Sequence, residues 1–195
     1  MKFRVEAQSM FLLAVLGLGL AAPALAQTAT QTSEAKGIPL REGWEIQSGC
    51  KIKADGVKLS SADYSTQGWI KATVPTTVLA AQVAAGLFPD PYYGMNMRQI
   101  PGGNYKMGAT FSSLPMPADS PYRCGWWYRK QISIPMASRG KTTWLHFGGI
   151  NYRANVWVNG QQIANDKQIA GAYRVYDLDI TKAVSAGKEI GRAHV

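Results

Sequence analysis

The chain has 195 residues, of which 46% are hydrophobic and 10% aromatic, enough to enclose one ordinary hydrophobic core. Its formal net charge is +9, but the basic residues are scattered singly and form no run that could follow a phosphate backbone. The two cysteines lack the CxxC spacing of a zinc site. We therefore predict one domain, with no nucleic-acid partner, no metal site and no organic cofactor.

The N-terminus has the organisation of a secretory signal peptide. Residues 1–4 are basic, residues 10–22 form an apolar run, and the small residues at 24–26 suit a signal peptidase. A membrane anchor is the alternative, but the run is shorter than the ~20 apolar residues that span a bilayer. We predict a signal peptide over residues 1–26 and a periplasmic or secreted product that has no membrane contact after cleavage.

The segment after the signal changes from a linker to short regular elements. Residues 27–39 are mostly polar and small, which predicts a flexible linker. Strands are predicted at Trp44–Gln47, Val57–Leu59 and Trp69–Ala72, because each run is bounded by Gly, Ser or Asp. Between residues 76 and 86 the apolar residues take helical spacing, which predicts one short helix.

A long loop separates this part from the second half of the chain. Residues 88–121 contain repeated proline and glycine, which prevent a long helix or strand. Their tyrosines and methionines are too apolar for a disordered segment, so an ordered loop is predicted. Alternating residues then predict strands at 126–134, 142–147, 152–158 and 161–164.

Residues 144–160, WLHFGGINYRANVWVNG, contain a strand, a Gly-Gly break and a second strand that ends on Asn-Gly, a pattern that predicts a β-hairpin. Alternation along the second strand directs one set of side chains to a core and the other set away from it. The core set is Ala154, Val156 and Val158, and the other set is Asn155, Trp157 and Asn159. Short strands with one helix predict an all-β fold, an antiparallel β-sandwich.

Four motifs, PTTVLAA, PDPYYGMN, WWYR and INYRAN, resemble the N-terminal sugar-binding domain of glycoside hydrolase family 2, nearest to its exo-β-D-glucosaminidases. The resemblance covers residues 40–188. It implies a jelly-roll, galactose-binding-domain-like sandwich at the N-terminus of an exported, retaining exo-β-D-glucosaminidase that acts on chitosan oligosaccharides. The alternatives are a β-mannosidase-like member of the family, a free-standing carbohydrate-binding module, and a sandwich that serves only protein contact.

The resemblance also implies where the chemistry resides. In this family both catalytic carboxylic acids lie on a (β/α)₈ barrel that follows the sandwich domains, so the chain itself supplies no catalytic residue and is expected to be inactive alone. A loop of the first domain reaches over the barrel mouth, and PDPYYGMNMR is the candidate for it. Tyrosine rings offer flat apolar surfaces to a sugar, and planar amide, carboxylate and guanidinium groups hold its hydroxyls. The predicted substrate-binding residues are Asp90, Tyr92, Tyr93, Asn96 and Arg98.

Each of these assignments has a structural alternative. The tyrosines could anchor the loop to the sandwich while Asp90 caps the turn at Pro91. Because family members dock this domain onto the barrel, an interdomain role is predicted for Asn151, Tyr152 and Arg153, which follow the Gly-Gly break. Core or interdomain packing is favoured over a sugar platform for four aromatic residues, Trp126, Trp127, Trp144 and Trp157.

Three further polar residues receive structural interpretations, and the two cysteines are left open. His146 is interpreted as a packed, hydrogen-bonded histidine, and Asp177 and Asp179 as solvated carboxylates beside a turn. Cys50 and Cys124 could pair in an oxidising compartment or remain separate buried thiols, and the sequence leaves both open.

The C-terminal residues lack the apolar strand that family members have after the Asp-Ile-Thr motif. Residues 190–195, IGRAHV, resemble the translation of a sequencing-library adapter, so a non-native tail is predicted there. The predicted domain therefore spans residues 40–189 and is truncated. A sandwich without one strand leaves backbone groups unpaired, so we expect it to unfold easily.

Overall fold

The computed structural model describes residues 2–6, 37–106, 108, 115–187 and 189–194. These residues form two antiparallel sheets and two short α-helices. The strands are β1 (Lys2–Glu6), β2 (Ile38–Pro39), β3 (Trp44–Ser48), β4 (Ile70–Ala72), β5 (Trp126–Ser133), β6 (Thr142–Phe147), β7 (Val156–Val158), β8 (Gln161–Ala164), β9 (Tyr176–Asp179) and β10 (Glu189–His194). The helices are α1 (Gly56–Leu59) and α2 (Val78–Ala84).

The strand order in one sheet is β2-β1-β6-β9 and in the other β4-β3-β5-β10-β7-β8. Every described pairing between strands is antiparallel, so the predicted antiparallel β-sandwich is confirmed. Among the described residues no helix is both long and apolar enough to cross a bilayer.

The core lies between the two sheets and follows the predicted period-two pattern. Leu145 and Phe147 of β6 are buried from one sheet, and Val156 and Val158 of β7 from the other. Each such side chain contributes about 1.5–3 kcal/mol when it is fully buried. Ala154 is buried as well, so the predicted core set of residues 154, 156 and 158 is confirmed.

The predicted hairpin over residues 144–160 is wrong, because β6 and β7 belong to opposite sheets. The chain after Gly148 crosses the sandwich, which lets both strands bury alternate side chains in the same core. The Asn159-Gly160 turn joins β7 to β8, the strand predicted at residues 161–164. Asn159 and Gly160 have φ values of 49° and 80°, the pair of positive angles of a type I′ hairpin turn.

The strand predicted at Val57–Leu59 is also wrong, since these residues lie in α1. Asp55 accepts a hydrogen bond from the Lys58 backbone N–H at 2.9 Å, which caps the first turn of the helix. The helix predicted between residues 76 and 86 is confirmed as α2, which Thr77 caps in the same way.

Three strands lie wholly or mostly where the sequence predicted no part of the domain. One of them, β2, lies in the predicted linker and pairs with β1. The backbone of β1 falls within the predicted signal peptide and pairs with β6 from Lys2↔His146 to Glu6↔Thr142. The backbone of β10 lies in the predicted tail and pairs with β5 and β7, where the sequence predicted a missing strand. The apolar run of the signal, most of the linker and part of the 88–121 loop lie outside the described residues.

Candidate functional site

The predicted sugar-binding residues lie on one turn that its own polar groups hold. Asp90 Oδ1 accepts a hydrogen bond from the Tyr92 backbone N–H at 2.9 Å, so the predicted turn cap at Asp90 is present. The Asp90 carbonyl oxygen accepts from Asn96 Nδ2 at 3.0 Å and from the Tyr93 N–H at 3.3 Å. A 3₁₀-helix over Asn96–Gln99 follows. Residues 90–96 therefore form a closed, hydrogen-bonded turn.

The two tyrosines of this turn point away from the sandwich. The side chain of Tyr92 is 96% exposed and that of Tyr93 is 76% exposed. They do not anchor the loop, and the buried apolar side chain among its described residues is that of Ile100. Gly103 packs so closely against the Met97 carbonyl oxygen that a Cβ would collide with it, which fixes the path after the 3₁₀-helix.

Arg98 contacts a residue that the sequence analysis did not single out. Its guanidinium lies 6.0 Å from the centre of the Tyr105 ring, at the distance of a cation–π contact. Met95 and Met97 are exposed beside the tyrosines and were not predicted either. Their spacing in GMNMR carries no signal that distinguishes an exposed methionine from a core one.

The predicted interdomain residues form a second exposed surface. Tyr152 is exposed, and the Arg153 guanidinium lies 5.7 Å from its ring centre. The Gly171 backbone N–H donates to the Tyr152 carbonyl oxygen at 2.9 Å, which joins this segment to residues 170–175. Tyr173, in that second segment, is 101% exposed and was missed by the sequence analysis, although it lies a few residues before the Asp-Ile-Thr motif.

The polar groups on β6 and β9 have structural partners. His146 Nδ1 lies 2.7 Å from Asp177 Oδ1 across the two strands, so the hydrogen-bonded histidine is confirmed. Asp179 Oδ1 accepts from the Thr181 backbone N–H at 2.9 Å. The side-chain and backbone hydrogen bonds from Thr181 lower the pKa of the Asp179 carboxyl. Among the described residues no group of three or more His, Cys, Asp or Glu is arranged to hold a metal ion.

Two of the four candidate tryptophans have contacts typical of packing. Trp157 lies against Gly56 of α1, where a Cβ would collide with the indole ring. Trp126 Nε1 donates to the Pro121 carbonyl oxygen at 3.1 Å. Both contacts favour the packing interpretation over a sugar platform.

A groove of about 940 Å³ lies between β4 and α2, and two of its lining residues, Glu42 and Glu45, accept hydrogen bonds from neighbouring side chains. Glu45 Oε2 accepts from Thr66 Oγ1 at 2.7 Å. Lys130 Nζ donates to the Glu42 carbonyl oxygen, and burial lowers the pKa of its ammonium. We therefore assign this groove no ligand.

Comparisons with known proteins agree with the fold and with the sequence motifs. Residues 118–192 match the family described as glycosyl hydrolase 2 galactose-binding domain-like. The chain carries a glycoside hydrolase family 2 N-terminal domain. This family 2 domain is 32% identical over 191 residues to the exo-β-D-glucosaminidase of Streptomyces avermitilis, a match that covers 95% of the chain and 19% of that relative.

Further similarity is found to proteins of Amycolatopsis orientalis. The family 2 domain is 33% identical over 145 residues to the exo-β-D-glucosaminidase of that organism, covering 74% of the chain and 12% of the relative. The crystal structure of the A. orientalis exo-chitosanase CsxA is similar with a TM-score of 0.63 and 28% identity, over 78% of the chain and 15% of that structure. The family 2 domain thus spans less than a fifth of the length of each of these relatives.

The family 2 domain also contains a disulfide. Cys50 and Cys124 are bonded, with their Cα atoms 5.7 Å apart, which decides the question that the sequence left open. The bond joins the end of β3 to the segment that enters β5.

Proposed function

We propose that this chain is the N-terminal part of an exported, retaining exo-β-D-glucosaminidase that acts on chitosan oligosaccharides. The observation that carries the proposal is the exposed pair Tyr92 and Tyr93, held on a hydrogen-bonded turn in a domain whose relatives have that activity. The reacting carboxylic acids then lie on a catalytic barrel outside this chain, and the domain shapes the substrate pocket.

The side chains of the turn offer the two kinds of contact that bind a pyranose, apolar faces and hydrogen-bonding groups. Exposed tyrosine rings present flat apolar faces to sugar C–H groups, and their hydroxyls can donate and accept hydrogen bonds. Internal hydrogen bonds from Asp90 and Asn96 hold the turn before a ligand arrives, so less conformational entropy is lost on binding. This organisation supports a role in recognition for the tyrosines and a supporting role for Asp90 and Asn96.

The second exposed surface supports a contact with the barrel. Tyr152 and Tyr173 are exposed on two segments that are hydrogen-bonded to each other. Tyrosine and arginine are enriched at protein interfaces, and Arg153 lies against the Tyr152 ring. We include Asn151, Tyr152 and Arg153 in the proposed docking surface and add Tyr173 to it.

The activity is tested on an enzyme expressed from a gene extended beyond this chain. The expected result is release of glucosamine from chitosan oligosaccharides and hydrolysis of a nitrophenyl β-D-glucosaminide in preference to the β-D-mannoside. Preference for the mannoside would instead favour the β-mannosidase alternative. Hydrolysis by the 195-residue chain alone, lost on replacing one of its own carboxylates, would overturn the proposal.

The role of the turn is tested by the double change Tyr92→Ala and Tyr93→Ala in that enzyme. Loss of both rings is expected to raise KM for chitosan oligosaccharides about tenfold, the equivalent of ~1.4 kcal/mol. Met136→Ala removes another exposed apolar side chain outside the loop and serves as the control. Equal KM values for both variants would contradict the role of the turn.

Sub-millimolar binding of chitosan oligomers by the 195-residue chain in calorimetry would favour a free-standing module.

A further inference from the structure

The two ends of the 88–121 loop meet at one residue of α2. The Gln82 carbonyl oxygen accepts from the Leu87 backbone N–H at 2.9 Å, just before the loop. Gln82 Oε1 accepts from the Tyr122 hydroxyl at 2.9 Å, just after the loop. Gln82 is only 6% exposed, so this polar contact is shielded from competing water. One buried residue therefore holds the entry and the exit of the loop.

The exit of the loop is also tied to the six-stranded sheet. The Cys50–Cys124 disulfide joins it to the end of β3. Beside the disulfide, the Gly49 backbone N–H donates to the Gly125 carbonyl oxygen at 2.8 Å. A Cβ at Gly49 would approach that oxygen to 2.7 Å, so the close contact requires glycine. The covalent bond and the hydrogen bond together fix residues 124 and 125 to the sheet.

A short 3₁₀-helix aims the Tyr122 hydroxyl. It spans Pro121–Arg123, and the buried Ser120 accepts from the Tyr122 backbone N–H through Oγ at 3.3 Å. The Ser120 carbonyl oxygen accepts from the Arg123 N–H at 3.1 Å. Burial raises the pKa of the Tyr122 phenol, so the hydroxyl remains a neutral donor throughout the neutral pH range.

We propose that Gln82, Tyr122 and the Cys50–Cys124 disulfide form a clamp that sets the position of the Asp90–Arg98 turn. Gln82 and Tyr122 are positioning residues for sugar binding and act through the loop without touching the sugar. The inference rests on the proposed function for its ligand, but the clamp itself rests on the contacts of α2, the loop ends and β3. A turn that is held in place before the sugar arrives loses less conformational entropy on binding, so loosening its base is expected to raise KM.

Hydrogen exchange on the 195-residue chain tests the clamp without any sugar. Tyr122→Phe removes one hydroxyl and leaves Gln82 Oε1 buried without its donor. The expected result is at least about tenfold faster exchange of the loop amides that donate within the loop, with unchanged exchange in the β3–β5 pairing. The amides to be followed are those of Tyr93, Asn96, Arg98, Ile100 and Gly103. Gln82→Met should act in the same direction, and Tyr173→Phe, which removes a fully exposed hydroxyl, is the matched control. Unchanged loop exchange in both clamp variants would overturn the clamp.

Kinetics on the extended enzyme test the positioning role. Tyr122→Phe is expected to raise KM for chitosan oligosaccharides three- to tenfold while kcat changes less than twofold, and Cys50→Ser with Cys124→Ser should shift KM in the same direction. A merely structural role would lower the unfolding temperature without this split between KM and kcat. Faster loop exchange combined with an unchanged KM would overturn the positioning role. If the extended enzyme hydrolyses no glucosaminide, the proposed function fails, while the exchange experiment still decides the clamp.

Discussion

At the scale of single residues, Arg129 shows how one side chain can organise a whole segment. It is 1% exposed, and its Nε donates to the Leu59 carbonyl oxygen at 2.9 Å. Its Nη2 donates to the Ser61 and Tyr64 carbonyl oxygens at 3.1 and 2.8 Å. The planar guanidinium supplies several donors in a fixed geometry, which suits carbonyl groups that converge from one bend of the chain. Arg129 thereby holds residues 59–64 on the outer face of β5.

Replacing Arg129 by Met is expected to lower the free energy of unfolding by about 3 kcal/mol, because buried carbonyl groups lose their donors. Arg129→Lys should recover only part of this loss, since an ammonium group cannot reproduce the fork of the guanidinium. Urea denaturation measures the change. The exposed Arg139 provides the control, and Arg139→Met should change the free energy by no more than about 0.5 kcal/mol. Equal effects at both positions would contradict the assigned role.

At the scale of elements, α1 forms because a neighbouring residue caps it, but contacts with the distant strand β7 set its position. Asp55 caps the helix, and Ser60 Oγ donates to the Gly56 carbonyl oxygen at 2.7 Å. Gly56 lies against the indole ring of Trp157 on β7, and Ser60 Oγ also accepts from the Gly160 backbone N–H at 2.9 Å. The helix therefore covers the outer face of the β7–β8 hairpin.

Gly56→Ala is expected to destabilise the domain by about 1–3 kcal/mol, because the added methyl group collides with the Trp157 ring. The intrinsic helix preference of alanine, about 1 kcal/mol over glycine, offsets only part of that cost. Gly125→Ala is the matched control, since a Cβ there meets no atom within 4 Å. Thermal unfolding followed by near-ultraviolet circular dichroism should show a lower midpoint for Gly56→Ala alone. A raised midpoint would show that helix preference outweighs the contact.

At the scale of the whole molecule, strands distant in sequence close the sandwich. The backbone of Glu189–His194 pairs with β5 and β7 inside the six-stranded sheet. This pairing satisfies backbone groups that the sequence analysis expected to be unpaired, so easy unfolding no longer follows from a missing strand. The Cys50–Cys124 disulfide adds a constraint between residues 74 positions apart.

Reduction of this disulfide is expected to lower the free energy of unfolding by about 4 kcal/mol, because closing a loop of this length restricts the unfolded chain. Urea denaturation of the 195-residue chain with and without a phosphine reductant measures the difference. A chain carrying both Cys50→Ala and Cys124→Ala is the control on which the reductant should have no effect. An unchanged midpoint for the reduced wild-type chain would contradict the prediction.

The sequence by itself determined what depends on neighbouring residues. Alternation identified the buried side of residues 154–158, and the helical spacing of apolar residues between positions 76 and 86 located α2, because side-chain direction along a strand or helix is a local property. The motifs also placed the candidate site on the Asp90–Arg98 segment.

Only the tertiary structure decided which elements meet. The Trp144–Gly160 pattern contains two strands, but their separation into opposite sheets depends on a core shared with residues far along the chain. The exposure of Tyr92, the pairing of Cys50 with Cys124 and the contact between Tyr122 and Gln82 likewise depend on long-range packing. Local sequence patterns do not identify such partners, because the free energy of these contacts arises only after distant segments have been brought together.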